Sequence, residues 1–194
     1  MNTSKVSKPV GMLAAAALLL GGVSARADQA LSWGYNAEGE LGNGTTNNSN
    51  KPVAVSGMSS GVTAADGGGQ HSLAMQNGGL YAWGSNAYGQ YGNGTTKNSV
   101  TPVPVSGMSS GVTAFAAGLE DSLAIQNGGL YAWGCNFNGE LGNGTTSGLN
   151  PNPTPVPVIG MSSGVTAVAA GGATGNDDSF AVKNGGLYAW GYNA

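Results

Sequence analysis

The chain has 194 residues, only 8% of them charged, and a formal net charge of −3. Six lysines and arginines in all cannot build the basic field that phosphate backbones require, so nucleic acid is excluded as a partner. A lone cysteine, Cys135, excludes an intrachain disulfide, and 36 glycines signal either low complexity or a dense set of turns.

Residues 1–27 differ in kind from the rest. Lys5 and Lys8 precede an apolar, small-residue run from Val10 to Val23, and Ala25-Arg26-Ala27 closes it with a small-x-small pattern. This is the pattern of a secretory signal peptide cleaved after Ala27, bacterial in style. At about 1.5 Å per helical residue the run falls short of a bilayer core about 30 Å thick, so no membrane span remains after cleavage. The expected location is secreted or periplasmic. Cleavage removes Lys5, Lys8 and Arg26 and leaves Lys51, Lys97 and Lys183 against nine acids, a net charge of −6.

From Leu31 onward one phrase recurs: Leu31-Ser32-Trp33-Gly34, Leu80-Tyr81-Ala82-Trp83-Gly84, Leu130-Tyr131-Ala132-Trp133-Gly134 and Leu187-Tyr188-Ala189-Trp190-Gly191. The tryptophans stand 50, 50 and 57 residues apart, a period that marks supersecondary units burying their apolar faces against one another. The repeats lie near 31–79, 80–129 and 130–186, with a partial repeat at 187–194.

Within a unit the punctuation places four strands. The Trp-Gly strand runs into a polar loop with a tight turn, as in Gly39-Glu40-Leu41-Gly42-Asn43-Gly44. Pro52-Val53-Ala54-Val55, Pro102-Val103-Pro104-Val105 and Pro155-Val156-Pro157-Val158 follow as edge strands, because proline cannot donate to a ladder. After a Gly-Met-Ser-Ser-Gly turn come two short strands, Val112 to Ala116 and Ser122 to Gln126 in the second unit. A hairpin at Asn127-Gly128-Gly129 leads back to the Trp strand. Four strands per unit without helical periodicity describe a propeller blade. The tryptophans are expected as core packing between blades.

Two loops vary between copies, and loops on a rigid scaffold carry function. One precedes Ser-Leu-Ala and reads Gly68-Gly69-Gln70-His71, then Gly118-Leu119-Glu120-Asp121, then Gly172 to Asp178. The other follows Trp-Gly and carries Tyr35, Glu38, Tyr88, Phe137 and Asn138. Enzymatic signals are weak. His71 is the sole histidine with only scattered acids for company, and Cys135 occupies a slot held by Tyr35, Ser85 and Tyr192 elsewhere, with no basic neighbour to activate it. Asn176-Asp177-Asp178 lacks the spaced calcium-loop frame. No metal or cofactor is expected.

The succession of Gly79 to Gly94, Pro102 to Val105, Val112 to Gly118 and Ser122 to Ile125 resembles the repeats of the regulator of chromosome condensation family. The stretches Ser60 to Ala64, Ser110 to Ala114 and Lys183 to Gly191 are similar to its secreted bacterial branch, which includes a propeller-type β-lactamase inhibitor protein. The resemblance implies an all-β fold: a partial β-propeller of about three four-stranded blades where the family normally has seven. Copies completing a ring by oligomerisation, a truncated remnant and an open arc are the three readings of that shortfall. By resemblance, the residues before Ser-Leu-Ala lie on the binding face. They are Gln70, His71, Glu120, Asp121, Asp177 and Asp178. The expectation is therefore a secreted, non-enzymatic module that recognises another protein, with self-association as a further mode. A remnant or structural envelope protein without a specific ligand is the alternative, and a propeller hydrolase or lyase is the least favoured.

Overall fold

A computed structural model describes residues 28–173 and 176–193; the signal-peptide reading lies outside them. Thirteen strands form four antiparallel sheets. Strands β1 (Leu31–Gly34) and β2 (Ser49–Ala54) make a two-stranded sheet. The first full sheet holds β3 (Val62–Gly67), β4 (His71–Gln76), β5 (Gly79–Gly84) and β6 (Ser99–Pro104) in that order. The second holds β7 (Val112–Ala117), β8 (Asp121–Gln126), β9 (Gly129–Asn136) and β10 (Gly148–Pro157). Strands β11 (Val165–Ala173), β12 (Asn176–Lys183) and β13 (Gly186–Gly191) form a three-stranded sheet.

The blades straddle the sequence repeats. The partial propeller consists of two four-stranded blades flanked by a two-stranded and a three-stranded one, because the sheet breaks at the Gly-Met-Ser-Ser-Gly connection and the Asn-Gly hairpin lies inside it. The proline strands β2, β6 and β10 are the outermost, each paired on one side only, with β1, β5 and β9. The hairpins are two-residue turns: Asn77, Asn127 and Asn184 sit at φ near 50° and the following glycines near 80°. That double left-handed conformation matches the twist of the strands and is cheap only for asparagine and glycine.

Burial in β4 and β8 is nearly continuous instead of alternating, since each central sheet packs on both faces. Leu73, Leu80, Tyr91, Val105, Met108 and Trp133 form one core cluster between the two full sheets. Leu123, Ile125, Leu130, Leu141 and Met161 form the next, against β11 to β13. Trp83 and Trp133 are buried, whereas Trp33 and Trp190 are half-buried.

Candidate functional site

Antiparallel strands send all loops of one class to one end of the sheets. The connections β3 to β4, β5 to β6, β7 to β8, β9 to β10 and β11 to β12, together with β1 to β2, share one face, called here the loop face. The Asn-Gly turns and the Gly-Met-Ser-Ser-Gly connections share the opposite one.

The loop face stands on a rigid frame. Asn36, Asn86 and Asn136 are fully buried, and their Oδ1 atoms accept from the N–H of Leu41, Tyr91 and Leu141 at 2.8, 2.9 and 3.1 Å. Their Nδ2 atoms donate to the carbonyls of Thr45, Thr95 and Thr145 at 2.9–3.0 Å. Each long loop is thus tied from inside by one side chain, which satisfies backbone groups that burial would otherwise strand.

Neighbouring sheets are latched through a main-chain carbonyl. Glu40 O accepts from Ser72 Oγ at 2.9 Å and Trp83 Nε1 at 2.7 Å. Gln90 O accepts from Ser122 Oγ at 2.8 Å and Trp133 Nε1 at 2.7 Å. Glu140 O accepts from Ser179 Oγ at 2.9 Å and Trp190 Nε1 at 2.7 Å. Gly92 lies flat on the Trp133 indole; a Cβ there would stand 2.9 Å from Nε1. Sequence reasoning missed these serines, although Ser72, Ser122 and Ser179 precede the apolar strand residues in all three copies.

The six nominated residues divide. Gln70 is exposed, and Glu120 and Asp178 are half-buried at the rim of the loop face. His71 and Asp121 are fully buried and Asp177 is 3% exposed, so these three lie beneath the surface that a partner would touch. His71 and Asp121 open β4 and β8 opposite the Trp-Gly glycines Gly84 and Gly134, whereas Asp177 is the second residue of β12, one before Asp178, which lies opposite Gly191. Thr174 and Gly175 of the same loop lie outside the described residues.

His71 Nε2 meets Ser122 Oγ at 2.9 Å, and burial pushes the imidazole down to about 4, so it is neutral. Asp121 meets no N–H donor or hydroxyl among the described residues and is hydrogen-bonded instead to the Asp177 carboxyl, with the proton on Asp121. Burial holds its carboxyl well above the usual range, with the Asp177 and Glu140 carboxylates adding to the effect. Asp177 Oδ2 accepts from Glu120 N–H at 3.2 Å, while its Oδ1 meets no N–H donor or hydroxyl among the described residues. Glu120 is itself shifted up by partial burial, Asp177 and Glu140, and Tyr88 is raised chiefly by Glu120 beside it. Burial pushes the Cys135 thiol up to about 11. Among the described residues no group of histidine, cysteine and acidic side chains is placed to hold a metal ion.

Exposed aromatics border these loops: Tyr35 is 50% exposed, Phe137 53% and Tyr192 39%. Tyr35 and Tyr192 directly follow Trp-Gly, and Phe137 stands two residues after Cys135, whose N–H donates to Glu120 O at 2.9 Å. Of the nine acids, Glu38, Glu40, Asp66, Glu120, Asp121, Glu140, Asp177 and Asp178 all stand at the loop-face end, and only Asp28 at the other.

No match is found among curated protein sequences. Among solved structures, human WBSCR16 superposes with a TM-score of 0.68 at 26% identity, over 84% of this chain and 42% of the other. Prp20p from Saccharomyces cerevisiae, described together with its binding to Gsp1p and histones, gives 0.68 at 23% identity, over 87% and 42%. The chain thus spans less than half the length of these propellers. The Regulator of chromosome condensation (RCC1) repeat matches residues 28–75, 77–125 and 127–174. With three copies covering well over half of its length, the chain belongs to the RCC1 repeat family.

Proposed function

We propose that the protein is a secreted or periplasmic, non-enzymatic binding module of the family's bacterial branch, and that its loop face recognises another protein. The observation that carries this is the union, on one face, of loops tied from within and residues that change between copies. Tyr35, Phe137 and Tyr192 supply exposed aromatic area next to Gln70, Glu120 and Asp178. Large rigid side chains beside polar groups are what interface anchors are made of. The buried neutral His71 and the buried thiol of Cys135 are not poised as base or nucleophile, which supports a binding role over a hydrolytic one.

The test is site-specific photocrosslinking from two positions. A photoreactive amino acid at Phe137 is expected to capture one defined protein from the native secretome, while the same group at Asn127 on the opposite face captures none. Equal capture from both positions, or none from Phe137, overturns the reading. Export is tested on the secreted material: its first residue is expected to be Asp28, and a retained Met1 overturns the cleavage.

One observation favours self-association as a second mode. Leu187 and Tyr188 of β13 are 72% and 48% exposed, whereas the equivalent Leu80 and Leu130 are 1% exposed, packed with Val105 and Met108 and with Val158 and Met161. An unpaired apolar edge is a template for another strand. Light scattering on the secreted protein is expected to show a discrete oligomer, and a monomer at high concentration rejects this mode.

A further inference from the structure

One five-residue turn occurs three times without change: Gly-Asn-Gly-Thr-Thr at 42–46, 92–96 and 142–146, in the connections β1 to β2, β5 to β6 and β9 to β10. Asparagine before glycine is especially open to cyclisation, because glycine puts no side chain in the path of its own nitrogen toward the asparagine carboxamide. With the local sequence constant, any difference in reactivity between Asn43, Asn93 and Asn143 comes from the fold. In each copy the asparagine is half-buried and the glycine exposed. Its Oδ1 accepts from the threonine N–H at 3.0–3.1 Å and from the threonine Oγ1 at 2.8 Å.

The copies differ at the glycine nitrogen. Gly44 N–H donates to Val100 O at 2.9 Å and Gly94 N–H to Pro153 O at 2.7 Å. Val100 and Pro153 belong to β6 and β10, in each case the outermost strand of the next sheet. The same strands press on the start of the loop, where a Cβ at Gly39 would stand 2.8 Å from Val100 Cα and one at Gly89 would collide with Pro153. For the third loop the next sheet is β11 to β13, which has no such outer strand among the described residues. Gly144 N–H accordingly meets no acceptor among the described residues, and a Cβ at Gly139 would find only the Thr146 side chain, at 4.0 Å. Asn143 Oδ1 also has a further donor in Asn136 Nδ2 at 3.5 Å, where the second donation of Asn36 and Asn86 goes to the carbonyls of Asn47 and Lys97. Donors on a carboxamide oxygen draw charge from its carbon. The hairpin pairs at Asn77, Asn127 and Asn184 share the dipeptide but not this freedom. Each of their carboxamides lies against the glycine that ends the preceding Gly-Met-Ser-Ser-Gly turn, and two paired strands clamp the hairpin.

We propose that Asn143-Gly144 is a self-modification site, which deamidates while its two copies are held back by the neighbouring sheets. The Gly144 nitrogen gives its proton to hydroxide and attacks Asn143 Cγ; the new C–N bond replaces the bond to Nδ2, which leaves as ammonia. Water then opens the succinimide at one of its two carbonyls, yielding aspartate or, with the main chain rerouted through the side-chain carbon, isoaspartate. Overall one water is consumed and one ammonia released. At Asn43 and Asn93 the attack first has to break the bond from the glycine N–H to the next sheet, which slows it by roughly a factor of ten. The aspartate keeps an acceptor for Thr145 and adds a negative charge to the loop that carries Phe137. The isoaspartate also lengthens the main chain within the span that Asn136 ties through Thr145 O at 2.9 Å. The loop face thus changes charge with the age of the molecule, at one of three equivalent places.

The test holds the full chain in warm, mildly alkaline buffer, digests samples with chymotrypsin over a time course and reads each asparagine by mass spectrometry. Isoaspartate is identified by the methyl group that an isoaspartyl methyltransferase attaches to it. In the folded protein Asn143 is expected to convert about tenfold faster than Asn43 and Asn93, and faster than Asn77, Asn127 and Asn184. In concentrated urea the three identical turns should converge on one rate, because no sheet then holds any of them. Equal rates at the three turns in the folded protein overturn the proposal, and a strand from another copy seated on β13 and bonded to Gly144 would give that result. A lead that Asn143 keeps in urea, or faster conversion at a hairpin asparagine, overturns it as well.

Discussion

The two seams beside the second full sheet share one latch and differ in what fills the space next to it. In both, a serine hydroxyl and a tryptophan N–H converge on a single main-chain carbonyl, at 2.7–2.9 Å. Beside the latch the first seam holds a neutral histidine bonded to Ser122 and the Asp66 carboxylate, which accepts from Ala117 N–H at 2.9 Å, and the second holds a carboxyl pair, Asp121 and Asp177. One frame therefore tolerates different infill. The frame depends on neutral donors and a backbone acceptor, which do not titrate, whereas the infill does: burial lowers the His71 pKa and raises those of Asp66, Asp121 and Asp177.

The largest effect that would sharpen this contrast is loss of the latch ring. Trp133 is fully buried, so Trp133→Ala should cost about 3–5 kcal/mol in urea denaturation. Trp190 is half-buried, and Trp190→Ala should cost distinctly less. Equal losses would mean that the third sheet is closed as tightly as the second. Next comes acid. His71 is held neutral in the fold with its pKa at about 4, against an ordinary value of 6.5, so the unfolded chain takes up a proton first as pH falls. Stability present above pH 6.5 should be lost on the way to about pH 4, by on the order of 3 kcal/mol, and His71→Gln should flatten that limb. A limb unchanged in His71→Gln would place its origin elsewhere.

The second seam should respond to base. Folding raises the Asp121 pKa by burial, so the native state holds a proton that the unfolded chain gives up, and stability declines as pH rises above the ordinary carboxyl range. Asp121→Asn, which keeps a donor at every pH, should raise the denaturation midpoint at pH 8 and leave it nearly unchanged at pH 3.5. The same gain at both values would show that packing, not ionisation, is responsible. The smallest effect lies at the uncovered strand: Leu187→Ala should change stability by no more than about 0.5 kcal/mol, because the side chain is already 72% exposed. A larger loss would show that something covers β13 in solution.

Much of this arrangement is legible in the sequence. The valine-proline alternation of Pro102 to Val105 names an outer strand because proline leaves one edge without a donor. Asn127-Gly128 names a two-residue turn because few other residues accept that backbone. The phase of the blades is not legible. Gly57 to Gly61 and Asn77-Gly78 are both turn signals, and only pairing reveals that one joins two sheets and the other stays within one. Nor does composition tell that Gln70 faces solvent while His71 faces a seam. Gln70 ends the loop and His71 opens β4, so a one-residue shift in where the strand begins would exchange them.

Because the latch reads a peptide carbonyl, it is blind to the identity of the residue that provides it. Glu40, Gln90 and Glu140 each present the same carbonyl, and each also turns one side-chain oxygen back to the N–H of Glu38, Tyr88 or Asn138 at 2.8–3.0 Å. Glutamate and glutamine are interchangeable in both duties. A gene that duplicates such a unit can thus recharge one copy by single nucleotide steps while inheriting the joint intact, so that the array drifts in what it binds without drifting in how it is built.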